Sequence, residues 1–326
     1  MPLSSRLLAL IEPMIERDGY TPSAIPAVSL MACHHQVPRT PLMYEPSLVI
    51  VVQGRKIGYL GDREIHYDPG QYLVQTLPLP FECETFATPE EPLLGLSVRI
   101  DPAVLSELVA ETGLETGLEK GLEKGLETGT ETGRGKGTEP RFNAKAPSSD
   151  PLPMASVAMT ASMQEAVVRL LRALNDPLDA QVMGQARVRE VIFEALKGEQ
   201  GAALRALVNH QGHYSQIIQA LTQMHADVAQ TTSIEELARD ANMSVSSFHQ
   251  HFKQVTRATP LQYLKRLRLI KARQLLSHDD LNVNQTAEAV GYRSVAQFSR
   301  DYKRTFGLSP LKDRRRPRDL SDVSAS

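Results

Sequence analysis

The chain has 326 residues, 41% of them apolar and 23% charged, with a formal net charge of −2. That is room for two ordinary domains, each with its own core, and the composition of a soluble globular protein. No apolar run approaches the ~18 residues of a membrane span, the first residues lack a secretory pattern, and two cysteines, Cys33 and Cys83, cannot build a disulfide framework, so a cytoplasmic protein with no membrane partner is expected.

The charge is unevenly spread. From Thr231 onward there are 17 Lys+Arg against 10 Asp+Glu, while the remainder carries 19 against 28. A basic tail module on an acidic body points to a polyanion as the partner of the tail alone.

Residues 47–100 read as strands. Ser47–Gln53 is a nearly unbroken β-branched run ended by Gly54; a further segment reaches Leu60, and Gly61-Asp62 turns the chain into Glu64–Tyr67. Asp68-Pro69-Gly70 has turn chemistry, and Gln71–Thr76, Phe81–Phe86 and Leu93–Ile100 follow. Short strands at this spacing predict a sandwich or small barrel. Asp101-Pro102 fits the N-cap and first position of a helix reaching Val109.

Residues 111–139 repeat with period four and carry a glycine in each unit, which disfavours helix and leaves few apolar groups, so 111–148 is expected to be a flexible insertion. From Met154 to Gln230 the pattern turns helical: Val157, Val167, Val168, Leu170, Leu171 and Leu174 precede Pro177, and Val188, Val191, Ile192, Ala195 and Leu196 follow the i, i+3, i+4 spacing. Whether these helices face a core or a second copy of the chain is open.

The C-terminal part holds two related segments, 233–260 and 282–310. Phe248, Phe252 and Pro260 align with Phe298, Tyr302 and Pro310 at an offset of 50, and Ala238 and Asn242 with Ala287 and Gly291 at 49. Ser233 with Glu236, and Asn282 with Gln285, have capping-box spacing; Ala238 and Ala287 are small where two helices cross; Asn242 and Gly291 tolerate a left-handed turn. Each copy therefore reads as a helix-turn-helix whose second helix is anchored by a pair of aromatics one turn apart. Between them Thr259-Pro260, with Gln262, starts a helix running to about Leu276, ~25 Å long. Leu261, Leu264, Leu267, Ala272, Leu275 and Leu276 offer it a packing surface, leaving Lys265, Arg266, Arg268, Lys271 and Arg273 for solvent or phosphate. Such a rod suits two reading helices placed near the ~34 Å that separates successive major grooves on one face of DNA.

Residues 231–313 resemble the DNA-binding domain of the AraC/XylS family, most closely in Ala-Val-Gly-Tyr-Arg-Ser-Val-Ala-Gln-Phe-Ser-Arg-Asp-Tyr-Lys-Arg and the following Gly-Leu-Ser-Pro. Tyr44-Glu-Pro-Ser, Val51-Val-Gln-Gly-Arg-Lys, Tyr67-Asp-Pro-Gly-Gln-Tyr-Leu-Val and Leu96-Ser-Val-Arg-Ile-Asp-Pro are similar to the sensor domain of one subgroup. The resemblance implies an α+β protein: a cupin-like β-barrel with a helical connector over 1–210, and an all-α unit of two helix-turn-helix motifs joined by a linker helix over 211–326. It implies a sequence-specific transcription regulator, an activator, bound to double-stranded promoter DNA, acting with RNA polymerase and controlled by a small molecule held in the barrel. The Val51–Lys56 and Tyr67–Val74 strands are its expected walls. A homodimer is left open.

On the first reading helix Ser246, His249 and Gln250 match family positions that enter the groove, as do Ala296, Gln297 and Arg300 on the second. Arg300 can take guanine O6 and N7 together. Gln297 has a rival role, closing a capping box with Ser294. Ser244, Lys253, Arg257, Arg293, Ser294, Lys303 and Arg304 are expected on phosphates. Cys33-His34-His35 invites a metal reading, but neighbouring residues on a strand point to opposite faces and no CxxC or HxxxH partner follows, so neither a metal nor a cofactor is expected. No nucleophile-base set or phosphate-binding glycine loop speaks for an enzyme. The rivals are an alkyl-accepting protein using Cys33 and a DNA-bending protein with no ligand.

Overall fold

A computed structural model describes residues 3–113, 151–208, 212–230, 233–278 and 281–314. The 111–148 insertion therefore lies outside the described residues from 114 onward.

A first helix, α1 (Leu3–Ile11), precedes nine strands: β1 (Gly19–Pro22), β2 (Val28–Cys33), β3 (Val37–Met43), β4 (Ser47–Gln53), β5 (Arg55–Leu60), β6 (Arg63–Tyr67), β7 (Gln71–Gln75), β8 (Pro80–Phe86) and β9 (Leu93–Arg99). After α2 (Pro102–Thr112), a tenth strand, β10 (Met154–Ala158), leads into α3 (Ala161–Leu174), α4 (Pro177–Lys197), α5 (Gly201–Val208) and α6 (Gly212–Ala226). The strands form two antiparallel sheets, ordered β1-β2-β9-β4-β7-β10 and β3-β8-β5-β6. The expected strands from 47 to 100 are all present, and Asp101 caps α2 by accepting the Ala103 N–H at 2.8 Å. Two features differ from the expectation. The stretch 19–43, unassigned in the sequence, supplies three strands. Met154–Ala158, expected as helix, pairs antiparallel with β7, because Val157 faces the apolar layer while the edge register satisfies the backbone.

Strand β4 is continuously apolar because it is buried on both sides. Val49 and Val51 face the space between the sheets, whereas Leu48, Ile50 and Val52 face a layer built from α1 through α5. Gly95 on β9 is required beside it, since a Cβ there would lie 2.4 Å from the Ile50 carbonyl oxygen. The expected periodic residues of α3 and α4, including Val167, Leu171, Val188 and Ile192, fill that same outer layer.

The C-terminal helices are α7 (Ile234–Asp240), α8 (Val245–Thr256), α9 (Pro260–His278), α10 (Val283–Ala289), α11 (Val295–Phe306) and α12 (Pro310–Arg314). The first helix-turn-helix, α7 and α8, does not have a private core. Phe248, Phe252 and Val255, with Tyr263, Leu267 and Ile270 of α9, belong to the same apolar cluster as Leu77, Leu79 and Phe81 of the sheets and Tyr214, Ile217 and Leu221 of α6. The second, α10 and α11, packs separately around Phe298, Tyr302, Ala287 and Val290 against Leu269, Ala272 and Leu276.

A short polar relay runs through the shared core. The Tyr263 hydroxyl donates to the Pro78 carbonyl at 2.7 Å, so the His225 Nε2, also 2.7 Å away, must be the donor to it. Nearby, the Tyr214 hydroxyl meets Thr76 Oγ1 at 3.1 Å. Burial pushes the His225 pKa down to about 4. A histidine whose folded pKa lies below its unfolded value of about 6.5 leaves stability intact above that value, and stability drains as the pH falls towards about 4. We expect roughly 2–3 kcal/mol to be lost across this window. Thermal unfolding followed from pH 7 to pH 4 checks it: His225→Gln keeps a donor for Tyr263 and should flatten the curve, whereas an unchanged slope assigns the effect elsewhere.

Candidate DNA-binding surface

Both helix-turn-helix units are built by the local chemistry their sequences carry. The Ser233 hydroxyl accepts the Glu236 N–H at 3.1 Å and the Glu236 carboxylate accepts the Ser233 N–H at 2.9 Å. Asn282 and Gln285 make the same reciprocal pair at 3.0 and 2.9 Å, and Thr259 with Gln262 repeats it at 3.3 and 3.1 Å for α9. The turns between helices use left-handed backbone at Asn242 (φ 52°) and Gly291 (φ 77°). Gly291 has a second reason to be glycine: a Cβ would lie 2.5 Å from the Ala229 carbonyl oxygen, in the turn that precedes the first unit.

The aromatic pairs are fully buried, Phe248–Phe252 with centroids 5.4 Å apart and Phe298–Tyr302 at 5.6 Å. With those faces turned inward, Ser246 and Gln250 on α8 are exposed and His249 is half-buried; on α11 Ala296, Gln297 and Arg300 are all exposed. His251, which no sequence pattern singles out, stacks on His213 of α6 at 4.0 Å and fixes the back of α8 to the connector. Ser244 and Ser294 are N-caps, each hydroxyl accepting an N–H three residues on at 3.3 Å. Gln297 returns no bond to Ser294, so the rival capping-box role is not taken up and its amide is left to the surface. Arg300 and the expected phosphate contacts Lys253, Arg257, Arg293 and Lys303 are exposed and make no side-chain ion pair or hydrogen bond among the described residues.

Two expected phosphate residues lie where the reader meets the sheets. The stem of Arg257, at the left-handed C-cap of α8, sits over Gly61 in the β5–β6 turn, 3.2 Å from where a Cβ would be. Arg304 pairs with Asp301 at 2.6 Å and, with Thr305, lines a crevice of about 290 Å³ against Arg39 and Tyr59.

The linker helix departs from its expected role. Lys265 is ion-paired with buried Asp301 at 2.7 Å, and Arg268 donates to the carbonyls of Val228 and Gln230 at 2.8 and 3.2 Å. Arg273, its side chain 10% exposed, pairs with Asp313 at 3.2 Å, and Asp313 also accepts the Tyr302 hydroxyl at 2.8 Å. These three cations are thus paired with acids and carbonyls of the protein itself, although Lys265 keeps 40% of its side chain exposed. The physical cause is that Asp301 and Asp313 are buried and need cationic partners nearby. Arg266 and Lys271 remain exposed, but line crevices shared with the sheets. Leu261, expected to pack, is 65% exposed. Among the described residues no helix is long and apolar enough to cross a membrane.

Known proteins fit this construction. Residues 24–203 match the AraC-type transcriptional regulator N-terminus, and residues 237–316 match a helix-turn-helix domain. The HTH-type transcriptional activator RhaS of Salmonella schwarzengrund (strain CVM19633) is 32% identical over 155 residues, which is 47% of this chain and 53% of RhaS. The chain thus matches about half the length of that relative, and RhaS of Salmonella typhimurium matches to the same extent. In fold, the crystal structure of unsaturated fatty acid bound wild-type ToxT from Vibrio cholerae strain SCE256 superposes with a TM-score of 0.55 over 92% of this chain and 97% of ToxT, at 9% identity. Sheets and connector of the one type, carrying a paired reader of the other, make this chain a member of the AraC-type family of DNA-binding transcriptional regulators.

Proposed function

We propose that the chain is a sequence-specific regulator, an activator, that reads one promoter segment through both helix-turn-helix units at once. Ser246, His249 and Gln250 read bases in one major groove and Ala296, Gln297 and Arg300 in the next. Ser244, Lys253, Arg257, Arg293, Ser294, Lys303 and Arg304 hold phosphates on either side. The observation that carries this reading is the unpaired, exposed Arg300 on a helix whose other face is locked by buried aromatics. Its planar fork suits guanine O6 and N7, whereas the internal acids of the unit are already neutralised by other cations. The linker helix has 19 residues, hence ~28 Å of rise, a length in keeping with adjacent grooves. A boundary near residue 210 between sensor and reader, contact with RNA polymerase, action in the cytoplasm, and the lack of any catalytic role are parts of the same proposal.

Control by a small molecule fits a set of polar groups sealed between the sheets. Lys56 is 3% exposed, and the charges that act on it are those of Cys83, Tyr20 and Cys33, with no carboxylate among them. Burial works against its ammonium, yet those neighbours hold its pKa above the ordinary lysine value. The buried hydroxyls of Tyr20, Tyr44 and Tyr67 lie together there, and that of Tyr67 meets Cys83 Sγ at 3.1 Å. An ammonium closed off in an apolar interior among hydroxyls and thiols alone is costly, and an effector with an anionic or hydroxyl-rich head relieves that cost. A second reading is favoured by a cavity of about 720 Å³ between sheets, connector and linker helix, lined by Met43, Leu77, Ile218 and Leu267 together with Arg99 and Lys271. That volume is typical of ligand pockets.

Selection of bound sequences from a random DNA pool tests the reader. Arg300→Ala should relax choice at one base pair by about 1–3 kcal/mol, or roughly 5- to 150-fold, without changing the others. Equal weakening on every sequence would move Arg300 to a phosphate. For the effector, metabolites that shift promoter occupancy are compared on two variants. Loss of response in Lys56→Met with response kept in Ile218→Trp favours the interior; the reverse favours the junction cavity.

A further inference from the structure

Apart from the reader and the cavity at the linker helix, one cluster of side chains has the chemistry of a metal centre. Strand β2 ends at Cys33, and His34 and His35 lie in the turn that carries the chain from the six-stranded to the four-stranded sheet. The strand rule that sends neighbours to opposite faces therefore stops at Cys33. His35 folds back so that its Nδ1 stands 3.8 Å from Cys33 Sγ, and Asp18, just before β1, brings Oδ2 to 3.3 Å from that same Nδ1. Thiol sulfur, imidazole nitrogen and carboxylate oxygen all lie within 4.8 Å of one another.

We propose that Asp18, Cys33 and His35 form a three-ligand site for Zn²⁺ or a similar borderline-soft divalent cation. Tetrahedral zinc holds sulfur at about 2.3 Å and nitrogen or oxygen at about 2.0–2.2 Å, so neighbouring ligand atoms stand roughly 3.2–3.6 Å apart. The observed 3.3 Å edge already meets this, the 3.8 Å edge needs a few tenths of an ångström of closure, and the third, from Asp18 to Cys33 Sγ, lies within 4.8 Å. Sulfur, nitrogen and oxygen in one donor set select against Mg²⁺ and Ca²⁺, which take oxygen alone.

The surroundings support the same assignment. His34 bonds the outer Asp18 oxygen, Oδ1, through its ring and donates its backbone N–H to Oδ2 at 3.2 Å, which fixes the carboxylate from outside. Cys33 is fully buried and held in register opposite Leu93, while Asp18 and His35 are exposed, leaving a fourth position towards solvent. The adjoining groove, about 450 Å³, is lined by Glu12, Glu16 and Asp18 with one cation, Arg17, an acidic mouth that draws cations in. A bound ion there ties the segment before β1 to the corner between the two sheets.

The test uses the full, tag-free chain titrated with Co²⁺ and then Zn²⁺. One equivalent should bind, with a thiolate-to-cobalt charge-transfer band that Zn²⁺ displaces. Cys33→Ser should abolish the band and weaken Zn²⁺ at least tenfold. Because Cys33 is buried, the surface variants Asp18→Asn and His35→Ala test the site independently of folding: each keeps the thiolate and should weaken Zn²⁺ at least tenfold, and His34→Ala should weaken binding about 10-fold or more. Cys83→Ser, whose thiol lies outside the cluster, should leave the cobalt band and the Zn²⁺ affinity unchanged. Absence of saturable binding at micromolar metal, a band lost in Cys83→Ser, or Zn²⁺ affinity unaltered in both Asp18→Asn and His35→Ala would each overturn the site.

Discussion

Tyr263 leaves the first turn of the linker helix and lodges between the sheets and the connector, where its hydroxyl holds the Pro78 carbonyl and its ring meets Phe252 edge-on at 5.5 Å. Much else follows from this burial. It draws the start of α9 onto the β7–β8 loop, brings His225 of α6 into hydrogen-bond reach, and merges the core of the first helix-turn-helix with that of the sheets. A buried hydroxyl needs its partners, so the alignment of three segments from distant parts of the chain is set by one side chain.

The two reading units consequently stand in different relations to the sensor. The first is continuous with it through apolar packing. The second keeps a private aromatic core and is fastened to the linker helix by charge, Lys265 to Asp301 and Arg273 to Asp313. Arg273 and Asp313 are buried on both sides, so removing either leaves an uncompensated charge and this contact defines geometry sharply. Where the second unit approaches the sheets it does so across a polar crevice, with Arg304 and Thr305 on one side and Arg39 and Tyr59 on the other.

Much of this was legible in the sequence because it is local. Capping boxes at Ser233, Thr259 and Asn282, the left-handed turns at Asn242 and Gly291, and aromatics one turn apart are all set by residues within a few positions of one another. The strands from β4 to β9 announced themselves through β-branched runs and turn residues. What escaped was non-local. Met154–Ala158 has the composition of either helix or strand, and its pairing with β7 decided the matter. The cations of α9 looked free because Asp301 and Asp313 lie 36 and 40 residues away from Lys265 and Arg273. Cys33-His34-His35 looked scattered because the end of β2 is fixed by the sheet rather than by those three residues.

The linker helix also has a mechanical meaning. Its first half, as far as Ile270, is embedded with the sensor and its far end carries the second helix-turn-helix, on a rod about 28 Å long. A tilt of about 10° about the embedded end sweeps the far end through about 5 Å, more than the ~3.4 Å step between stacked base pairs. Leu267 and Lys271, which face the junction cavity, sit near the middle of that arm. If the proposed reading holds, a displacement there of an ångström or two would change which base pair the distant helix meets.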